Sequence, residues 1–314
     1  ELHTCSLFCS SPTIGDHSVP PASELIPRND DVWIVSYPKS GSTYVRHLIC
    51  NLERFWSFVQ VGSKRPERPV TFEECDVFIP FLEDKITKPK KLFKTKKRSN
   101  MFPRIFKSHQ PYHCDDLSKC SGHVAAKQAR WQCKCPTCSR LYRRAVIIFR
   151  DGKPTMFSYY KFQNELKLRG RASNFEKFIK TKRVYPGVGW SDWMRSWIAA
   201  SQQSNVDILW LRYEDLTAHP EVELQRIATF IGAGGVSEEA IKYAVAASSR
   251  ESMAKTESLF GAGLFNKRYK KRDRSFKMVH GGSSQWKKSF DDQLSKYWNQ
   301  EHGYLEQCLA EELY

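Results

Sequence analysis

No stretch of this 314-residue sequence is apolar for long enough to cross a bilayer, so no helical membrane span is expected. The first residues, Glu1-Leu2-His3-Thr4-Cys5, lack the charged-then-apolar layout of a secretion signal. They also lack an initiator Met, which fits the removal of an upstream piece. Acidic residues are scarce: 34 stand against 50 basic ones, a formal net charge of +16. Such a field favours anionic ligands, from nucleotides to sulfated sugars. The ATPase pattern G-x-x-x-x-G-K-S/T occurs nowhere in the chain, and no internal repeat is visible. What the chain has in quantity is core material. Forty per cent hydrophobic and 13% aromatic residues exclude wholesale disorder and suit one large α/β domain or two small ones.

The most informative segment runs from Val35 to Tyr44. An apolar strand candidate, Asp31 to Ser36, leads into Tyr37-Pro38-Lys39-Ser40-Gly41 and then a helix candidate, Thr43 to Leu52. A helix start presents N–H groups with no intrahelical partner at the positive end of its dipole. After a glycine turn, that is a phosphate cradle. Gly41 admits close approach, Ser42 and Thr43 add hydroxyl donors, and Lys39 adds a point charge.

Residues 1–24, rich in Ser, Pro and Thr, read as a flexible N-terminal arm ahead of a domain over 25–314. Further strands are expected at Arg104–Ser108, Arg144–Arg150 and Asp207–Tyr213. Thr71–Asp84 reads as a short helix or turn. Helices are expected from Pro154 to about Leu168, at Phe175–Lys182, Ser191–Gln203, Glu221–Ile231 and Ser237–Ala247, which completes the set until a last helical stretch at the C-terminus. Apolar strands alternating with helices imply a central parallel β-sheet flanked by helices on both faces. Ligands of such sheets bind at the carboxyl ends of the strands. Each strand candidate ends in groups suited to anion chemistry: Lys39, then Lys107-Ser108-His109, then Arg150, then Tyr213. The basic runs Lys85–Arg98 and Lys267–Lys277 carry much of the excess charge; the first reads as a solvated loop.

Several segments together resemble the cytosolic-type sulfotransferases that use 3′-phosphoadenosine-5′-phosphosulfate (PAPS). Pro38-Lys39-Ser40-Gly41-Ser42-Thr43 resembles their 5′-phosphosulfate loop. Arg150, seven residues, then Ser158-Tyr159-Tyr160-Lys161-Phe162 resembles their 3′-phosphate motif. Pro103 to Pro111 is similar to P-R-L/I-x-K-T/S-H-L-P, Pro80-Phe81-Leu82-Glu83 to P-F-L-E, and Tyr213-Glu214-Asp215 to Y-E-D. Gly281 to Lys287 is similar to G-x-x-G-D-W-K. The resemblance covers about residues 25–300 and implies a P-loop-like α/β fold. It implies sulfuryl transfer from PAPS to an acceptor hydroxyl by in-line displacement, with the 3′,5′-bisphosphate PAP as product and no catalytic metal. By the same resemblance Lys39, Ser40, Gly41, Ser42 and Thr43 hold the 5′-phosphosulfate, and Arg150 and Ser158 the 3′-phosphate. Tyr44 stacks on adenine, Tyr213 bonds an adenine nitrogen, and Ser248 lies nearby. His109 is the base and Lys107 a sulfuryl clamp. His280 and Gly281 stand where the family closes on the nucleotide. The implied partner is a small-molecule or carbohydrate acceptor in the cytoplasm, with no nucleic acid beyond the nucleotide.

Three departures qualify this. Val279-His280-Gly281 replaces the family's R-K-G, leaving Arg274, Lys277 or His280 to substitute. Lys287-Lys288-Ser289-Phe290-Asp291-Asp292 replaces its dimer motif, which leaves the oligomeric state open. His109 and Arg150 are 41 residues apart, a long gap, and the extra length holds a cysteine-rich insert at about 112–140. Cys133-x-Cys135-x-x-Cys138 resembles a zinc knuckle, which Cys120 with Cys114 or Cys133 would complete; His113 and His123 are further candidates. A structural zinc on Cys120, Cys133, Cys135 and Cys138 is one expectation; disulfides or free thiols are the alternatives. The other five cysteines show no metal-site grouping beyond the near pair Cys5 and Cys9. Two rival readings are a P-loop nucleotide kinase and a zinc-knuckle nucleic-acid-binding protein. The first would need a later lysine and a magnesium-binding Asp; the second rests on the +16 charge and the C-x-x-C.

Overall fold

The computed structural model describes residues 28–62, 66–81, 102–112, 142–166, 172–181, 188–202, 206–262, 279 and 285–312. Within these, β1 is Val32–Ser36, followed by α1 (Ser42–Gln60) and α2 (Phe72–Phe78). Next come β2 (Ile105–Ser108), β3 (Arg144–Phe149), α3 (Gly152–Glu165), α4 (Phe175–Lys180) and α5 (Trp190–Ser201). Then follow β4 (Asp207–Arg212), α6 (Tyr213–Ala218), α7 (Pro220–Phe230), α8 (Glu238–Ala247) and α9 (Arg250–Phe260). The short α10 (Gln285–Ser289) and the long α11 (Asp292–Glu312) end the described chain.

The four strands form one sheet in the order β2-β1-β3-β4, and every pairing is parallel. The apolar run of β1 explains its central place. Val32 and Ile34 enter one hydrophobic cluster, built with α1, α7 and α8. Trp33 and Val35 point the other way, into a cluster built with α3, α4, α5 and α11. Alternate side chains thus meet a helical layer on each face, as continuous strand hydrophobicity requires. The second cluster is unusually aromatic: Trp33, Trp190, Trp193, Trp197 and Trp298 are all buried there.

The sheet is pinned at its amino end by one ion pair. Arg104, ahead of β2, grips Asp31, ahead of β1, through Nε to Oδ1 at 2.7 Å and Nη2 to Oδ2 at 2.6 Å. Both side chains are at most 4 % exposed. The Arg28 N–H also donates to Asp31, and Val32 N–H to the Arg104 carbonyl. This clamp sets the β1–β2 register, in which Val32 pairs with Ile105 and Val35 with Ser108.

The strands match expectation, and the helices differ in places. α1 runs to Gln60, eight residues beyond Leu52, because Phe55 continues its buried face. α2 is a helix with a capping box: Thr71 Oγ1 accepts from Glu74 N–H, and the Glu74 carboxylate accepts from Thr71 N–H. Tyr213 opens a helix rather than ending a strand. The helical set does not stop at Ala247: Ser249 caps α9 by accepting from Ser252 N–H. Cys50 and Cys75 are free, buried cysteines, one on α1 and the other on α2. No described helix is long and apolar enough to cross a membrane. The expected arm at 1–24 and the cysteine-rich insert, apart from Tyr112 at its start, lie outside the described residues.

Asp31→Ala removes the carboxylate that the buried Arg104 guanidinium grips, which costs on the order of 3–5 kcal/mol. Urea unfolding of the variant is expected to show that loss, with Asp31→Ala/Arg104→Leu recovering part of it. A loss under about 1 kcal/mol, the value of a surface pair, would refute the clamp.

Candidate active site

Because all four strands are parallel, the residues after them share one rim. Ser36, Ser108, Phe149 and Arg212 are the last strand residues, so Lys39, His109, Arg150 and Tyr213 emerge together. The order β2-β1-β3-β4 places a topological switch point between β1 and β3, whose onward connections leave in opposite directions. Lys39 follows one of these strands and Arg150 the other.

The turn after β1 is tightly wound. Lys39 has φ 72° and Gly41 has φ 106°, and Lys39 is the only non-glycine with positive φ among the described residues. A non-glycine held there stores on the order of 1–3 kcal/mol, which the surroundings must impose. One such constraint is the ring of Tyr213. A Cβ on Gly41 would lie 2.4 Å from Tyr213 Cδ2, so only glycine fits. α1 begins at Ser42 with no side-chain cap and no acidic residue in its first turn. Its first returning bonds, from Tyr44 and Val45 N–H, go to the Gly41 carbonyl. The amides before them face outward from the helix start. Ser40 Oγ is buried with no hydrogen-bond partner among the described residues. An uncapped N-terminus with a strained lysine turn suits an anion.

The Lys39 ammonium rests 4.6 Å from the Phe162 ring centroid, over α3. Its pKa is lowered to about 8, chiefly by burial and also by Arg150, against the opposing pull of Glu165 and Glu257. Arg150 donates from Nη1 to the Lys39 carbonyl at 3.5 Å, lies 4.6 Å from the Tyr213 ring centroid, and pairs with Glu214 at 3.8 Å. Ser158 is partly buried on α3 with no partner among the described residues. Tyr44 is partly buried on the α1 side, its phenol pushed up by burial and by neighbouring Tyr213.

His109 is held more closely than any spacing argument suggested. Its Nδ1 is 2.6 Å from the Ser36 carbonyl oxygen and 3.3 Å from Ser36 Oγ. A carbonyl only accepts, so Nδ1 carries the proton and Nε2 keeps the basic lone pair. Trp193 Nε1 donates to the His109 carbonyl at 2.9 Å, fixing the backbone. Phe81 meets the imidazole edge-on at 5.2 Å and takes the Lys107 ammonium on its face at 4.5 Å. Burial, then the Lys107 charge, hold the imidazole well below its usual pKa, with Arg46 and Lys39 adding to this and only the Ser36 carbonyl opposing.

Lys39, Ser40, Gly41, Ser42, Thr43, Arg150 and Tyr213 therefore converge, and Lys107 and His109 sit on the adjoining β2 side. Ser248 is different in kind. It is fully buried, and its Oγ accepts from Asn51 Nδ2 at 3.0 Å, tying α8 to α1. His280, Gly281, Cys120, Cys133, Cys135 and Cys138 lie outside the described residues. Among the described residues no cluster of His, Cys, Asp or Glu is arranged for a metal. The sequence did not point to Ser36 or Trp193, and it gave Phe162 only as the end of the 3′-phosphate motif, not as a seat for Lys39. The roles of Ser36 and Trp193 come from a backbone carbonyl and an indole N–H, which carry no motif.

A glycine-turned anion cradle at the switch point of a parallel sheet defines a protein of the P-loop-like α/β class. A family model described as a sulfotransferase domain matches residues 29–118 and 138–302, and the chain belongs to that family. It is 25% identical over 230 residues to the amine sulfotransferase of Oryctolagus cuniculus, covering 72% of this chain and 64% of that one. It is 28% identical over 212 residues to cytosolic sulfotransferase 7 of Arabidopsis thaliana, covering 65% and 57%. The match thus spans less than two thirds of these relatives' own lengths. A mouse sulfotransferase solved in complex with PAP has the same fold: TM-score 0.58, 19% identity, 93% of this chain and 92% of that one covered.

The His109 tautomer is open to direct measurement. A long-range ¹H–¹⁵N spectrum at pH 6.5 is expected to show a neutral ring protonated at Nδ1. A half-titrated ring at that pH, or a proton on Nε2, would overturn the assignment.

Proposed function

We propose that this chain moves the sulfuryl group of PAPS to the hydroxyl of a small-molecule or carbohydrate acceptor. The observation that carries this reading is the pairing of an anion cradle after β1 with His109, just past the neighbouring strand β2 and held through Nδ1 by the Ser36 carbonyl at 2.6 Å. The family membership and the PAP bound to the mouse relative support it. The cytosolic relatives favour a cytoplasmic setting.

On this reading the turn from Lys39 to Thr43 holds the 5′-phosphosulfate, and Arg150 with Ser158 holds the 3′-phosphate. Tyr44 flanks the adenine. The Tyr213 ring is already occupied by Gly41 and Arg150, but its hydroxyl has no partner among the described residues and is left to meet an adenine nitrogen. Ser248 acts first as a strut through Asn51, with its own proton still available to donate. The acceptor oxygen attacks sulfur in line. The sulfur bond to the bridging phosphate oxygen breaks, and the bisphosphate leaves. The hydroxyl proton passes to His109 Nε2. Lys39 meets the charge that grows on the bridging oxygen, where preorganised charge helps most. Lys107, steered by Phe81, offsets charge on the sulfuryl oxygens. Positioning and charge neutralisation supply most of the effect, as in phosphoryl transfer.

His109→Ala is expected to slow single-turnover sulfuryl transfer from labelled PAPS by about 10²–10⁴, the range for a positioned base, with bisphosphate affinity unchanged. Normal chemistry with poor affinity would make His109 a binding residue. Absence of transfer by the native protein across a broad panel of hydroxyl acceptors, with no bisphosphate binding, would sink the whole reading.

The pH profile follows from the two groups. Lys39 loses its proton as pH rises through about 8. His109 stays neutral until pH falls well below 6.5. The kcat/KM for PAPS, which reports the free enzyme, is therefore expected to fall above about 8 and to stay level down to 6.5. Lys39→Arg keeps its charge, so whatever its level of activity, its alkaline limb should move up. A limb that stays near 8 in that variant belongs to another group.

A further inference from the structure

We propose that Glu214 is a positioning residue for Arg150, and that it thereby sets the preference for nucleotides bearing a 3′-phosphate. The assignment rests on the reading of Arg150 as the 3′-phosphate grip.

Arg150 is held on three sides. Glu214 Oε1 lies 3.8 Å from Nε, an ion-pair distance with no hydrogen bond, the Tyr213 ring covers one face at 4.6 Å, and the Lys39 carbonyl takes Nη1 at 3.5 Å. Nη2 has no partner among the described residues. A guanidinium is a planar fork, so restraining its Nε edge aims the opposite edge. Glu214 is itself restrained, since Arg212 Nε lies 3.5 Å from its Oε2. Arg212 in turn donates from Nη2 to Asp151 Oδ1 at 3.0 Å. Arg150, Glu214, Arg212 and Asp151 alternate in sign and sum to zero. The carboxylate is therefore shared between two arginines rather than spent on neutralising one.

Two simpler accounts make different predictions. If Glu214 only repels bound anions, its removal strengthens every nucleotide. If it only steadies the first turn of α6, its removal lowers thermal stability and weakens every nucleotide alike. If it aims Arg150, the loss falls on the 3′-phosphate alone, because a loosened side chain must be ordered again on binding.

The experiment is calorimetric titration of adenosine 3′,5′-bisphosphate and adenosine 5′-monophosphate into the full chain, native and variant, at one salt concentration. Glu214→Ala is expected to weaken the bisphosphate about tenfold and the monophosphate less than about twofold. In an Arg150→Ala background the same change should cost almost nothing, the signature of two residues acting as one. Glu214→Gln keeps the side-chain shape and a polar oxygen near Nε but removes the charge, and is expected to lose only about threefold, again for the bisphosphate alone. It also supplies the comparison if the alanine variant does not fold. Equal losses for both nucleotides, no loss, tighter binding of both, or full additivity with Arg150→Ala would overturn the assignment. A native protein that binds no bisphosphate overturns the underlying reading as well, while native binding with unselective Glu214 variants overturns this inference alone.

Discussion

The ring of Tyr213 is the constraint on which the rim depends. It lies where a side chain on Gly41 would have to go, and the Arg150 guanidinium rests 4.6 Å from its centroid. One aromatic plate thereby couples the turn after β1, the residue after β3 and the end of β4. Each alone is mobile in principle: glycine turns are permissive and arginine side chains have many rotamers. Packed on a common ring, they share one geometry. The positive φ of Lys39 belongs to the same arrangement, since the Arg150 bond to its carbonyl helps hold the strained turn.

The sheet supplies the rest by being fixed at the opposite end. Asp31 and Arg104 lock β1 to β2 where the strands begin, and parallel pairing carries that register to where they finish. A one-residue slip would exchange the two faces of β1, driving Trp33 into the layer built for Val32 and Ile34. The two differently shaped cores make that slip costly. They also bring Ser36 beside His109, 73 residues on in the chain, without any sequence signal between them.

Much of this was legible in the residue order, for physical reasons. Strands buried on both faces are nearly continuous in apolar residues, so β1 and β3 stand out. His109, Arg150 and Tyr213 follow strands directly and Lys39 lies three residues past one, so the parallel topology brings them together. Helix α9 was illegible because its buried residues are mostly polar, Thr256 and Glu257 with Met253, while Leu259 and Phe260 point to solvent. No apolar stripe exists to be read. The six residues of α6 were hidden by their continuity with β4: Tyr213 extends a strand pattern, and only Glu214 and Asp215 hint at a helix start. The ligands of His109 and Arg150 were illegible for a deeper reason. A carbonyl, a ring face and a carboxylate at 3.8 Å are properties of packing, and residue identity does not encode them.

The depth of the site has two sides that pull against each other. Burial is the first cause of both shifts: it drives His109 well below its usual pKa and Lys39 down to about 8. For the proposed chemistry the imidazole must be neutral and the amine charged at the same pH. A shallower site would leave the imidazole titrating near its ordinary value of about 6.5, partly unable to accept a proton. A deeper one would carry Lys39 below 7 and remove the charge that meets the leaving oxygen. With a pKa near 8 the amine is still protonated about ten to one at pH 7. What keeps it there is asymmetric company. Glu165 and Glu257 pull Lys39 back toward its charged form, whereas His109 has Lys107, Arg46 and Lys39 beside it, all pushing it toward neutrality. Two carboxylates acting on Lys39 against Arg150, and only cations acting on His109, therefore separate the states of two bases that a common desolvation would otherwise shift together.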